Sequence, residues 1–278
     1  MTYETLCLRS GDWEARIAPA YGANPICLRH KGQDVLRPWS EEITDPFLAG
    51  APLLLPANRT AGGRFQFRGE EYTLPVNDAF SNAHLHGRLY CRQFQAEAAA
   101  ADRVVLAYEN RGEIFPFPFR VTVCYYVENG EFVSEYRIEN LSDRAMPFTF
   151  GLHTTFPEPE QFSVPLESCQ EKDTRHIPTG RYLPLTEQER SYVTGSASRG
   201  VVISGFYKAG GDTARIGKLR YQVTGFDHWV LYNGRGEGGF LCVEPQLGGV
   251  NALNQPERCP CLEAKESITL TTRISVLP

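Results

Sequence analysis

The chain has 278 residues, of which 42% are hydrophobic and 22% charged, and its mean hydropathy is −0.33. That is the composition of a globular protein large enough to bury a core without disulfide or metal staples. Lys and Arg number 28 against 33 Asp and Glu, a net charge of −5; this argues against nucleic acid as the main partner, because phosphate binding needs a basic field.

The N-terminal stretch MTYETLCLRSGDWE has no apolar core of the kind a signal peptide needs. No run approaches the roughly 18 apolar residues of a membrane helix. TLCLRSGDWEARI then places two short apolar stretches around Ser10-Gly11-Asp12, and RFQFRGEEYTL does the same around Gly69. VTVCYYVENGEFVSEYRIEN predicts a hairpin, because Asn129-Gly130 tolerates the positive φ angles of a type I′ turn. Beyond that turn Phe132, Tyr136 and Ile138 share one face and Glu135, Arg137 and Glu139 the other, the period-two pattern of a half-buried strand. Thr186 with Glu189 three residues later predicts the cap of one short helix. SITLTTRISV closes the chain as a strand.

No fixed-period repeat and no low-complexity linker interrupts this pattern. With 12% aromatic residues, the expectation is an all-β protein, a large antiparallel sandwich or barrel with few short helices, formed as one domain over 1–278. The eight cysteines include Cys124 and Cys242 inside strand-like apolar runs, where a free thiol acts as a small hydrophobe. A cytoplasmic, reduced protein is the expectation.

Four clusters could carry chemistry. Asn58-Arg59-Thr60 matches a glycosylation sequon, which is empty in a cytoplasmic protein, and also reads as a solvated turn. His84 and His86 would share one strand face, as metal ligands do, but no carboxylate follows in Gly87-Arg88-Leu89-Tyr90-Cys91. His153 follows an apolar run and reads equally as a core residue. Asp227 and Glu244 stand beside HWVLY and FLCVE. A carboxylate buried there would have a raised pKa and could act as a base near neutrality. Cys259-Pro260-Cys261 is too tight to be a zinc site.

Taken together, these segments resemble the galactose mutarotase (aldose 1-epimerase) family. PANRTAGGRF is similar to its N-R-x-x-x-G-x-F segment, Leu74-Pro75-Val76-Asn77 to L-P-x-N, and SNAHLHGR to N-x-L-H-G. LHTTF, GFDHWVLY and CVEPQLGGVNALNQP follow in the family's order. Three departures stand out. Arg88 replaces a second Gly, Thr154-Thr155 replaces Pro/Ser-Tyr, and only 16 residues separate Asp227 from Glu244.

The resemblance implies a galactose mutarotase-like supersandwich that interconverts the α and β anomers of a free hexose. It gives Glu244 as general base and His153 as general acid, facing each other across a pocket sized for a monosaccharide. His86 would stand near the ring oxygen, Arg59 and Asp227 would hold sugar hydroxyls, and Asn58 and Gln246 would neighbour them. Phe156 or Trp229 would pack on the pyranose face. The implied partner is a small monosaccharide, with no nucleic acid and no membrane, and no metal or organic cofactor is implied. Three alternatives remain open at this point. A hexose-6-phosphate 1-epimerase would need cations such as Arg64, Arg88 and Arg92. A non-catalytic carbohydrate-binding protein would lack the acid and base. A glycosidase would use Asp227 and Glu244 as its carboxylate pair.

Overall fold

A computed structural model describes residues 3–278. Two eight-stranded antiparallel sheets form its bulk. In the first, the strands run in spatial order Gln95–Ala99, Arg103–Asn110, Phe119–Glu128, Glu131–Asn140, Ser267–Val276, Leu219–Thr224, Thr213–Ile216 and Phe162–Ser163. In the second, Phe240–Leu247 pairs with His228–Tyr232 on one side and with Phe150–Leu152 and Thr155–Pro157 on the other. Leu53–Leu54 extends that sheet at one edge, and Ser204–Ala209, Leu166–Lys172 and Pro178–Leu183 extend it at the other. A four-stranded sheet from Leu6–Ser10 to Gln33–Asp34 adds a further layer. One contiguous core joins residues from Leu8 to Ile274, with Tyr125, Tyr136, Phe150, Trp229 and Tyr221 fully buried.

The turns follow the local sequence. Asn129 and Gly130 both have positive φ (51° and 80°), which closes Glu128 onto Glu131 as the type I′ geometry requires. Ser10 pairs with Trp13, and Phe67 with Glu70, across turns centred on Gly11 and Gly69. The helix Glu187–Thr194 carries the capping box, with Thr186 Oγ1 accepting from the Glu189 amide and the Glu189 carboxylate accepting from the Thr186 amide. All eight cysteines are free thiols. No helix among the described residues is long and apolar enough to cross a membrane.

Replacing Thr186 by Ala removes one half of that box. A loss of about 1 kcal/mol and a melting temperature lower by about 2–3 °C are expected, measured by thermal unfolding followed by circular dichroism.

Candidate active site

Glu244 lies in the middle of Phe240–Leu247, paired directly with Val230. Two residues on, Gln246 pairs with Gly151, and His153 follows the short strand that Gly151 belongs to. His153 is pinned by its amide, which donates to the Pro52 carbonyl at 2.9 Å. This ladder brings His153 Nε2 to 3.5 Å from Glu244 Oε1, with only 7% and 2% of the two side chains exposed. Gln246 Nε2 donates to the other carboxylate oxygen at 3.4 Å. Gly151 has to be glycine here, because a Cβ would come within 2.9 Å of Gln246 Cγ and 3.2 Å of Ala57 Cβ.

A second, smaller ladder delivers the rest. Arg59–Ala61 pairs with Ala83–Leu85, so Arg59 stands opposite Leu85, and the His86 amide donates to the Asn58 carbonyl at 2.8 Å. Asn58, His86 and Gly87 all have positive φ, which turns the chain out of the strands and aims two side chains inward. Two asparagines lock this ladder. Asn77 bonds both the amide and the carbonyl of Leu85. The Asn251 amide donates to the Arg59 carbonyl, and its side chain accepts from the Ala61 amide.

The cleft between these ladders encloses about 260 Å³, at the small end of ligand pockets, which run to roughly 300–1,000 Å³. Asn58, Arg59, His86, His153 and Glu244 line it. The His86 and His153 rings meet edge to face at 5.2 Å, and Phe47 packs on both, 4.5 and 5.5 Å away. Arg59 is held by its Nε, which donates to Ser81 Oγ and to Asp78 Oδ2 at 2.9 and 3.2 Å, and by Nη1 donating to Asn58 Oδ1.

Burial sets the electrostatics. It pushes the Glu244 carboxyl up to about 8, against the opposing pull of the Gln246 hydrogen bond and the Arg59 charge. It pulls His153 down to about 4, with the backbone carbonyls beside the ring opposing. His86 is pulled well below the ordinary imidazole value, first by burial and then by His153 and Arg59. Near neutrality burial therefore favours a protonated Glu244 carboxyl beside neutral His153 and His86 imidazoles. The pair can donate one proton and accept one proton without first exchanging any with solvent.

Several expectations need correcting. Glu244 and His153 stand side by side rather than across the cleft. Gln246 is fully buried behind Glu244 and orients it, outside the cleft lining. Asp227 does not line the cleft. Its carboxylate accepts from the Gly248 amide at 2.8 Å and lies 2.7 Å from His228 Nδ1, in a separate depression with Tyr182 and Arg258. Phe156 and Trp229 are both buried in the core, Phe156 packed on Tyr221, and Trp229 also donating from its indole to the Gly211 carbonyl. Phe47, Phe206 and Tyr232 supply the aromatic lining instead. His84 is turned away from His86, with Nδ1 2.7 Å from the Pro75 carbonyl. Arg64, Arg88 and Arg92 do not line the cleft.

Further residues belong to the site. Asp45, Phe47, His176 and Ser204 line the cleft, and Asp78 pairs with Arg59. Asp78 had a signal in its place directly after the L-P-x-N segment. Phe47 had none, since residues 39–52 form no strand.

The fold has solved counterparts. A galactose mutarotase-like protein from Clostridium acetobutylicum superposes with a TM-score of 0.87 at 21% identity, over 98% of this chain and 95% of that one. The GalM/aldose epimerase homologue from C. elegans gives 0.84 at 16% identity over the full length of both. The uncharacterized proteins YihR and YphB of Escherichia coli (strain K12) are 30% identical over 152 residues and 28% over 123, or 54% and 44% of this chain. The chain spans about half the length of the curated relatives it matches, 49% and 42%. Residues 4–275 match the model of the aldose 1-epimerase family, and the chain belongs to that family.

Gly87 is the tightest point of the small ladder: at φ +63°, a Cβ there would come within 1.9 Å of the Leu55 carbonyl oxygen. Gly87→Ala should lower stability by more than about 2 kcal/mol, read as a lower urea midpoint.

Proposed function

We propose that this protein is an aldose 1-epimerase that interconverts the α and β anomers of a free hexose by acid–base ring opening. One observation carries the reading: a buried carboxyl and a buried imidazole 3.5 Å apart on one wall of a cleft of about 260 Å³. Opening a pyranose requires a proton to leave the C1 hydroxyl and another to reach the ring oxygen. Both oxygens are bonded to C1, so two groups that stand side by side, as these do, can reach both.

Glu244 takes the hydroxyl proton while the His153 imidazolium protonates the ring oxygen. The bond from C1 to that oxygen breaks, and C1 becomes an aldehyde carbon. Rotation about the C1–C2 bond presents the other face of the carbonyl. The same two proton transfers in reverse close the ring and return both groups to their starting state. The pair needs one proton in total, and moving it from Glu244 to His153 across the 3.5 Å gap makes the base and the acid together. Arg59 beside Glu244 favours that charge-separated form. His86 and Asn58 face the same space and are placed to bond sugar hydroxyls, while Phe206 and Val230 offer an apolar floor to the C–H face of the ring. Less supports the phosphorylated alternative, because among the described residues Arg59 is the one arginine lining the cleft and Asp78 already pairs with it, while Lys172 donates to the Ser204 carbonyl.

Glu244→Gln and His153→Asn should each reduce the acceleration of mutarotation by about 10²–10⁴, followed by polarimetry on fresh α-glucose and α-galactose, with near-ultraviolet circular dichroism unchanged. Full activity in Glu244→Gln would remove Glu244 from the mechanism.

The pH profile, corrected for spontaneous mutarotation and recorded with a chelator present, should be bell-shaped. Above about 8 the pair loses its proton and has no acid; below about 4 His153 gains a second one and the pair has no base. Arg59, His86, His176, Asp45, Tyr232 and Cys242 are the other titratable groups around the pair. A flat profile between pH 4 and 10 would contradict this assignment.

A further inference from the structure

Cys242 precedes Glu244 by two residues on the same strand and therefore faces the same side of the sheet. Its thiol is fully buried and lies 3.4 Å from Thr155 Oγ1. The proton relay has no use for it. Its Sγ, a ring nitrogen of His153 and a carboxylate oxygen of Glu244 all lie within 4.8 Å of one another, the one such group of metal-capable side chains among the described residues.

We propose that His153, Cys242 and Glu244 form an inhibitory binding site for Zn²⁺, with the sugar cleft at its fourth coordination position. The donor set is one sulfur, one imidazole nitrogen and one carboxylate oxygen, which selects a borderline-soft tetrahedral ion over Mg²⁺ or Ca²⁺. Zinc binds such ligands at about 2.0–2.3 Å, so two ligands on one tetrahedral ion stand about 3.5 Å apart. The His153–Glu244 separation is already 3.5 Å, and Cys242 needs only to close in from its place one strand pleat away. The Thr155 hydroxyl remains beside the sulfur as an outer partner that orients it. The opposing charges are Arg37, which acts on Cys242, and Arg59, which Asp78 offsets through their ion pair. A metal held this way occupies the lone pairs of both the base and the acid, so it stops proton transfer without touching the rest of the cleft. The inhibition rests on the acid–base reading above; the binding itself does not.

Metal-free protein should bind one Zn²⁺ in a calorimetric titration. Co²⁺ in its place should produce a thiolate-to-metal charge-transfer band. Zn²⁺ should lower mutarotation more than ten-fold, with Mg²⁺ inert, and saturating sugar should weaken the metal's binding. Cys242→Ala should lose the Co²⁺ band, bind Zn²⁺ at least ten-fold more weakly and keep the metal-free activity. Cys242→Ser, which can retain the Thr155 contact, serves if the alanine variant does not fold. Absence of Zn²⁺ binding in the parent protein, or undiminished binding in the Cys242 variants, would overturn the site. Failure of the metal-free protein to accelerate mutarotation would instead overturn the catalytic reading, and the Co²⁺ band would still report on the metal.

Discussion

Glu244 and His153 are both removed from water, and neither can be charged alone at low cost. Burial favours the neutral carboxyl and the neutral imidazole, so between about pH 4 and 8 the two together hold one proton. Most of what surrounds them serves that condition. Gln246 donates to one carboxylate oxygen, Arg59 supplies a nearby positive charge, and Asp78 keeps Arg59 from standing as an unpaired buried cation. Phe47 closes over both imidazoles and excludes solvent from that side.

The supporting structure is mostly backbone pairing. Asn77 and Asn251 use their side chains as substitutes for missing strand neighbours, clamping Leu85 and the Arg59–Ala61 segment where no further strand continues the ladder. Thr155 does the same for the irregular segment before it: its hydroxyl donates to the Phe47 carbonyl, which ties the aromatic lid to the strand that follows His153. That threonine stands at one of the chain's departures from the family pattern, so the departure has a structural use.

Much of the fold was legible because its signals are local. Asn129-Gly130, the Thr186–Glu189 cap and the closing strand depend on near neighbours in sequence, and each appears as expected. The family motifs located Asn58, Arg59, His86, His153 and Glu244, and these converge on one cleft. The failures have more than one cause. A strand's alternation shows that two faces differ, and it does not show which of them meets the core. Trp229 therefore looked available for stacking, although its neighbour Val230 is the residue that lines the cleft. Asp227 lies just before the same strand, and the Gly248 amide, distant in sequence, captures it. Phe47 and Asp45 reach the cleft from a segment with no periodicity to read.

The pairing of Gly151 with Gln246 has a consequence for how such a site can change over time. The acid and the base hang from strands whose relative alignment is fixed in whole steps, and side chains reverse direction with each step. A single inserted or deleted residue between Gly151 and His153, or between Glu244 and Gln246, would therefore exchange a reactive group for one pointing into the opposite layer. The turn over residues 233–239, which joins the two neighbouring strands, is free of that alternation, although Asn233 is itself buried and bonded to Ser198, Val201 and Ile203. Length variation in this hairpin should thus fall beyond Asn233, while the few residues around Gly151 and Gln246 keep their count.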